Sequence, residues 1–116
     1  MTYVTGLLLA VPTANKAEYQ KYAQSTVAVF KEHGALNVVD CWGDQVPDGE
    51  VTSFPMAVKC QPDETVVMAW ITWPSREVCE ANSEKAMSDP RMPGFDQMPF
   101  DTKRLIYGGF EVIVDG

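Results

Sequence analysis

What this sequence has little of narrows the reading first. It holds one histidine, His33, in 116 residues, so no metal is expected, because a transition-metal centre ordinarily draws several His or Cys ligands together. Its cysteines, Cys41, Cys60 and Cys79, are odd in number, widely spaced and free of any Cys-x-x-Cys pattern. That argues against a disulfide framework and for a reducing, cytoplasmic setting, and the opening Met-Thr-Tyr-Val lacks the basic and apolar regions of a secretion signal. No apolar run approaches the ~20 residues of a membrane-spanning helix, so no membrane partner is expected. Positive charge is scarce as well. Nine Lys and Arg stand against sixteen Asp and Glu, for a net charge of -7, and such a field repels phosphate backbones. Only Lys103-Arg104 forms an adjacent basic pair, so nucleic acid is not an expected partner. A Gly-rich phosphate loop, a Ser-His-Asp order and a dinucleotide fingerprint are all missing, and no cofactor is expected.

What is present is an ordinary globular composition, 46% hydrophobic and 22% charged. A chain of this size buries roughly two-thirds of its unfolded surface, enough for one core, so one domain over residues 1–116 is expected. Residues 3–11 form an apolar run stopped by Pro12, the pattern of a core strand. Thr13 or Asn15 can then cap a helix, with Asn15 and Glu18 at capping-box spacing and Tyr19, Ala23, Thr26, Val27 and Phe30 at helical intervals up to His33-Gly34. Residues 35–42 read as an edge strand interrupted by Asn37 and Asp40. Between 44 and 64, turn signals flank a segment where Ser53 can cap and Pro55 open a short helical turn, although Phe54, Met56 and Val58 also alternate as in a strand. Thr65–Trp73 is apolar on both faces and ends at Pro74, as a central strand would. Ser75 caps a second helix to about Ser88, with Val78, Ala81 or Asn82, and Ala86 as a thin apolar stripe. A last strand is expected over about Arg104–Val114, where Gly108-Gly109 marks a bulge or a close approach.

The order βαββαβ is that of an α+β, ferredoxin-like fold, a four-stranded antiparallel sheet with two helices on one face. The strands are apolar on both sides. Ile106, Gly108, Phe110, Val112 and Val114 alternate with Leu105, Tyr107, Gly109, Glu111 and Ile113, and the first and third strands repeat the arrangement. Two helices cover one side only. The bare side exceeds what monomers usually expose, so a homodimer packed sheet to sheet is expected, the alternative being that the long loops fold under the sheet.

Four blocks of residues carry a resemblance: Trp42-Gly43-Asp44-x-Val46-Pro47-Asp48-Gly49, Lys59-x-x-Pro62-Asp63-Glu64-Thr65-Val66-Val67, Asp89-Pro90-Arg91-Met92, and Met98-Pro99-Phe100-Asp101-x-Lys103-Arg104-x-Ile106-Tyr107-Gly108-Gly109-Phe110-Glu111. Together they resemble the YbaA-like family of bacterial proteins of unknown function, over nearly the whole chain. The resemblance implies a dimeric α/β-barrel protein. That superfamily includes cofactor-free monooxygenases, dehydratases and small-molecule binders, and it supplies no catalytic residue to transfer, so the catalytic residues are unknown.

The residues themselves offer candidates. Asp89-Pro90-Arg91 and Asp101-x-Lys103-Arg104 set carboxylates beside guanidinium groups in two loops. Arg91 or Arg104 can clamp a small carboxylate or enolate through a fork, with Asp44 or Asp101 as a base and Tyr107 as a hydrogen-bond donor. The plainer use of these residues is as ion pairs that lock the loops. Trp42, Trp70, Trp73, Phe95 and Phe100 can line a pocket for a flat molecule or simply fill the core. Cys41 reads as a small buried hydrophobe before a nucleophile, and His33 as a helix-terminal residue. Three functions remain open: a homodimer binding a small organic molecule between helices and sheet, a cofactor-independent enzyme of monooxygenase or isomerase type, and a structural or regulatory partner protein.

Overall fold

The computed structural model describes residues 2–116, the side chain of Phe95 excepted. Strands β1 (Tyr3–Pro12), β2 (Asn37–Trp42), β3 (Glu64–Trp73) and β4 (Ile106–Glu111) form one sheet in the order β2-β3-β1-β4, every pair antiparallel. Helices α1 (Lys16–Glu32), α2 (Phe54–Ala57) and α3 (Arg76–Met87) complete the α+β, ferredoxin-like architecture.

Alternation along the strands decides which side chains meet the helices. The odd-numbered residues of β1 and β3 face α1 and α3, and two apolar clusters fill the space between. One gathers Val29, Phe30, Ala35, Ile71, Trp73, Cys79 and Ala86. The other gathers Leu9, Val11, Tyr19, Ala23, Val67 and Phe100. Helix α3 therefore contributes Cys79 rather than Ala81, which is exposed. Ser75 accepts from the Val78 amide and Ser53 from the Met56 amide, so both expected caps form and residues 54–57 are helical, not a strand.

The capping box of α1 does not form. A 3-10 turn over Thr13–Asn15 precedes the helix, and the Asn15 side chain donates instead to the Pro99 carbonyl at 3.4 Å. At the other end of the chain, β4 is shorter than its apolar pattern. Its partner β1 runs out at the pairing Tyr3↔Glu111, with one further bond from the Val112 amide to the Thr2 carbonyl. Arg104 lies before β4, in a 3-10 turn capped by Asp101. The Gly108-Gly109 pair marks a close approach without a bulge. Tyr3 lies directly over Gly109, where a Cβ would overlap its hydroxyl, and so covers that part of β4.

The opposite face carries Val4, Gly6 and Leu8 of β1, Met68 and Trp70 of β3, and Ile106, Gly108 and Phe110 of β4. The segment after β2 folds under one end of it, where Val58 packs on Ala10 and Val66. The remainder is open. Gly6 and Gly108 pair across strands and floor a trough of about 370 Å³ walled by Leu8, Phe54, Met68, Trp70, Ile106 and Phe110. Phe110 is 60% exposed, Ile106 43% and Met68 42%, and no charged residue lines the trough.

Candidate functional site

A second hollow lies on the helix side, at the sheet's β2 edge. Residues spaced three and four apart on α1 share one face, and alternate residues of β2 share another. Lys16, Tyr19 and Gln24 from the helix thus meet Val38, Asp40 and Trp42 from the strand, bounding a cleft of about 440 Å³. That volume suits a small organic molecule.

The chemistry of the cleft centres on one hydrogen bond. The buried Tyr19 hydroxyl donates to Asp40 Oδ1 at 2.6 Å. Burial raises the Asp40 pKa, and the Tyr19 bond only partly opposes it. Burial likewise pushes the phenol of Tyr22 up to about 12 and that of Tyr19 higher still, with the neighbouring Asp40 charge adding to both. Both phenols are therefore neutral donors at physiological pH. Phe100 meets the Tyr19 and Tyr22 rings edge-on at 5.8 and 5.6 Å between centroids, and Trp42 stands 6.5 Å from Tyr19. The Lys16 ammonium sits over the Trp42 ring, 5.6 Å from its centroid.

A stability consequence follows from the direction of the Asp40 shift. A carboxyl whose folded pKa exceeds its unfolded value binds its proton more tightly when folded, so the charged form is a penalty at neutral pH that is relieved as pH falls. Asn at this position keeps an acceptor for Tyr19 and removes the charge. Asp40→Asn is expected to melt higher than the wild type at neutral pH, the gain closing as pH falls to about 4 and below. Calorimetric melting across that range, with Lys16, Tyr19 and Tyr22 unchanged beside the site, checks it; an equal or lower melting temperature at neutral pH contradicts it.

The structure scatters the residues singled out in the sequence. Trp42 lines the cleft. Asp44 is exposed just past β2, and Tyr107, on β4, is 74% exposed. Arg104 is held at the start of β3. Its guanidinium donates to both Glu64 oxygens at 2.7 and 2.6 Å, to Asp101 Oδ2 at 2.9 Å and to the Lys59 carbonyl at 2.9 Å. Arg104 in turn holds the Glu64 and Asp101 carboxyls below their usual range. Arg91 forks onto Asp89 with two bonds of 2.9 Å and also meets Glu32 at the end of α1. His33, the C-terminal cap of α1, lies 3.3 Å from the same Asp89, whose carboxyl Arg91 holds well below its usual range. The two arginines lie toward opposite ends of β3, a ten-residue strand, and so roughly 30 Å apart. They do not converge on one ligand.

Tyr19 and Asp40 did not stand out in the sequence as functional residues, since one reads as part of a helix stripe and the other as a polar break in an edge strand. The available signal was parity: Asp40 shares a face with Val38 and Trp42, which sets a carboxylate inward between two apolar residues.

Comparison with known proteins places the chain among relatives of undescribed activity. The family model described as "Protein of unknown function (DUF1428)" matches residues 2–102. The chain is 53% identical over 116 residues, 99% of each chain, to the protein named Uncharacterized protein YbaA of Escherichia coli (strain K12). The same figures hold for the proteins of that name from Escherichia coli O157:H7 and Shigella flexneri.

Proposed function

The chain belongs to the DUF1428 family of proteins of unknown function, and we propose that it acts as a one-domain cytoplasmic homodimer that binds a small organic molecule in the cleft between α1 and β2. The observation that carries the binding site is the Tyr19–Asp40 bond opening onto the Trp42 face within a 440 Å³ hollow. Apolar walls with a few placed polar groups are what small-molecule sites are made of. The cytoplasmic setting rests on three free thiols, Cys41, Cys60 and Cys79, which an oxidising compartment would tend to pair. Among the described residues no helix is long and apolar enough to cross a membrane.

The dimer rests on the open sheet face. Three strands about 4.8 Å apart, rising about 3.3 Å per residue over about six open residues each, present a footprint of about 300 Å² per copy, the apolar centre of an interface that side chains beyond the strands would have to complete. The trough lining carries no charged residue, so apposing two copies there buries no unpaired charge, and the net charge of -7 opposes the pair only at a distance. Phe54 and Met56, 50% and 44% exposed, extend the apolar area beyond the strands.

A thermal-shift screen of metabolites tests the site. Compounds that raise the melting temperature of the wild type are expected to lose that effect in Trp42→Ala and in Gln24→Ala, the second an exposed position outside the core. If every hit survives both substitutions and is lost in Arg91→Ala or Arg104→Ala, the site moves to the loop that carries that arginine. A cofactor-independent enzyme of monooxygenase or isomerase type is the second reading. It is favoured by Asp40, whose raised pKa at the edge of a cleft is the state of a general base.

A further inference from the structure

The charges withdrawn from solvent tell which ligand the cleft suits. Among sixteen acidic residues, only Asp40, Glu64 and Asp89 are partly buried rather than exposed. Glu64 has the Arg104 fork and Asp89 has the Arg91 fork. Asp40 has one phenolic hydroxyl, and among the described residues no cation lies within ion-pair distance of it. Lys16, the one cationic residue lining the cleft, points its ammonium at the Trp42 ring instead. A partly buried carboxylate without a counter-ion favours a partner that brings the missing charge.

We infer, resting on the cleft reading above, that the molecule bound there is an organic cation, an ammonium or amidinium group on a flat apolar body. Its head meets the Asp40 carboxylate, whose Oδ1 already takes the Tyr19 hydroxyl. An ammonium has three N–H donors, and the side-chain amides of Gln20 and Gln24, which line the same cleft, supply acceptors for the remainder. The apolar body lies against Trp42 and Val38. Trp42 already takes a cation on its ring in the free protein, the Lys16 ammonium at 5.6 Å, which an incoming cation would displace. Anions are disfavoured twice, by Asp40 at the site and by the net charge of -7 at a distance.

Three probes of one shape and different charge test this: benzylammonium, benzyl alcohol and benzoate, titrated calorimetrically into the full chain, with amide chemical shifts locating each. Benzylammonium is expected to bind about tenfold or more tightly than the alcohol, with benzoate weakest, and to shift residues of β2 and the first turns of α1. Asp40→Asn, which keeps the acceptor for Tyr19, is expected to abolish the preference for the cation. Lys16→Met is expected to strengthen benzylammonium binding by freeing the Trp42 face. Equal or tighter binding of benzoate or the alcohol at the same residues overturns the cation while leaving the cleft in place. A preference that survives Asp40→Asn also overturns it. Shifts confined to other parts of the chain overturn the cleft itself, and no binding of any probe at millimolar concentration overturns the cation.

Discussion

Trp73→Ala is expected to lower the unfolding free energy by about 3–5 kcal/mol, the range for removing a large aromatic from a close-packed core. The indole is fully buried at the end of β3. It meets Phe30 of α1 edge-on at 6.2 Å and packs in one cluster with Cys79 and Ala86 of α3. It is thus the side chain through which the two helices share a core with the sheet. Its Nε1 also donates to Thr5 Oγ1 at 3.1 Å, so alanine leaves a void and leaves that hydroxyl only its 3.6 Å contact with Cys79 Sγ. Total stabilities run to about 5–15 kcal/mol, so this one change removes at least about a fifth of the total. For a chain of this length the melting temperature should fall by about 12–20 °C. Trp73→Phe, which keeps a ring against Phe30 but loses the indole N–H, should lose much less. Urea unfolding at fixed protein concentration measures both, the concentration being held because self-association adds to apparent stability. A loss under about 1.5 kcal/mol for the alanine variant would show that the site collapses around the void and that the indole is not the hub.

The core around Trp73 was legible in the sequence because its determinants are local. Apolar runs closed by Pro12 and Pro74 mark β1 and β3, and Ser75 and Ser53 sit where a capping hydroxyl must sit. The misread positions are those where a distant partner decides. The apolar pattern continues past Glu111, but the register with β1 ends at Tyr3↔Glu111, beyond which the Val112 amide bonds the Thr2 carbonyl. Residue 35 begins an apolar stretch, yet Ala35 is turned inward by its amide bonding the Phe30 carbonyl, and β2 starts two residues later. Asn15 has the spacing of a cap but finds the Pro99 carbonyl, brought up by a loop far along the chain.

The candidate site divides in the same way. The pairings of Asp89 with Arg91 and Asp101 with Arg104 are short-range and could be read directly. Their third partners, Glu32 and Glu64, are long-range, and it is these that engage the guanidinium groups fully. Trp42 was legible as an aromatic of pocket type. That Asp40 stands beside it without a cation depends on where α1 crosses β2, which no spacing within either element encodes.

The open face gives the other large effect. Met68→Glu is expected to convert the proposed dimer into a monomer of 12.9 kDa with its fold and melting behaviour otherwise close to the wild type. Met68 lies on β3, one of the two central strands, and is 42% exposed in the single chain, so a polar side chain of the same length reaches water without disturbing the core. Apposed with a second copy, the same carboxylate is buried in an apolar trough with no cation beside it. Two-fold symmetry buries it twice, and each unpaired charge opposes association by several kcal/mol, so the dissociation constant should rise by about three orders of magnitude or more. Met68→Lys separates this effect from simple repulsion between acidic chains. It lowers the magnitude of the net charge, so repulsion alone would predict tighter association, whereas burial of an unpaired ammonium predicts a monomer again. Light scattering and sedimentation at micromolar concentration measure the outcome. A wild type that is already monomeric there removes the dimer. A Met68→Glu protein that still dimerises shifts the interface off the trough over Gly6 and Gly108 and onto another surface.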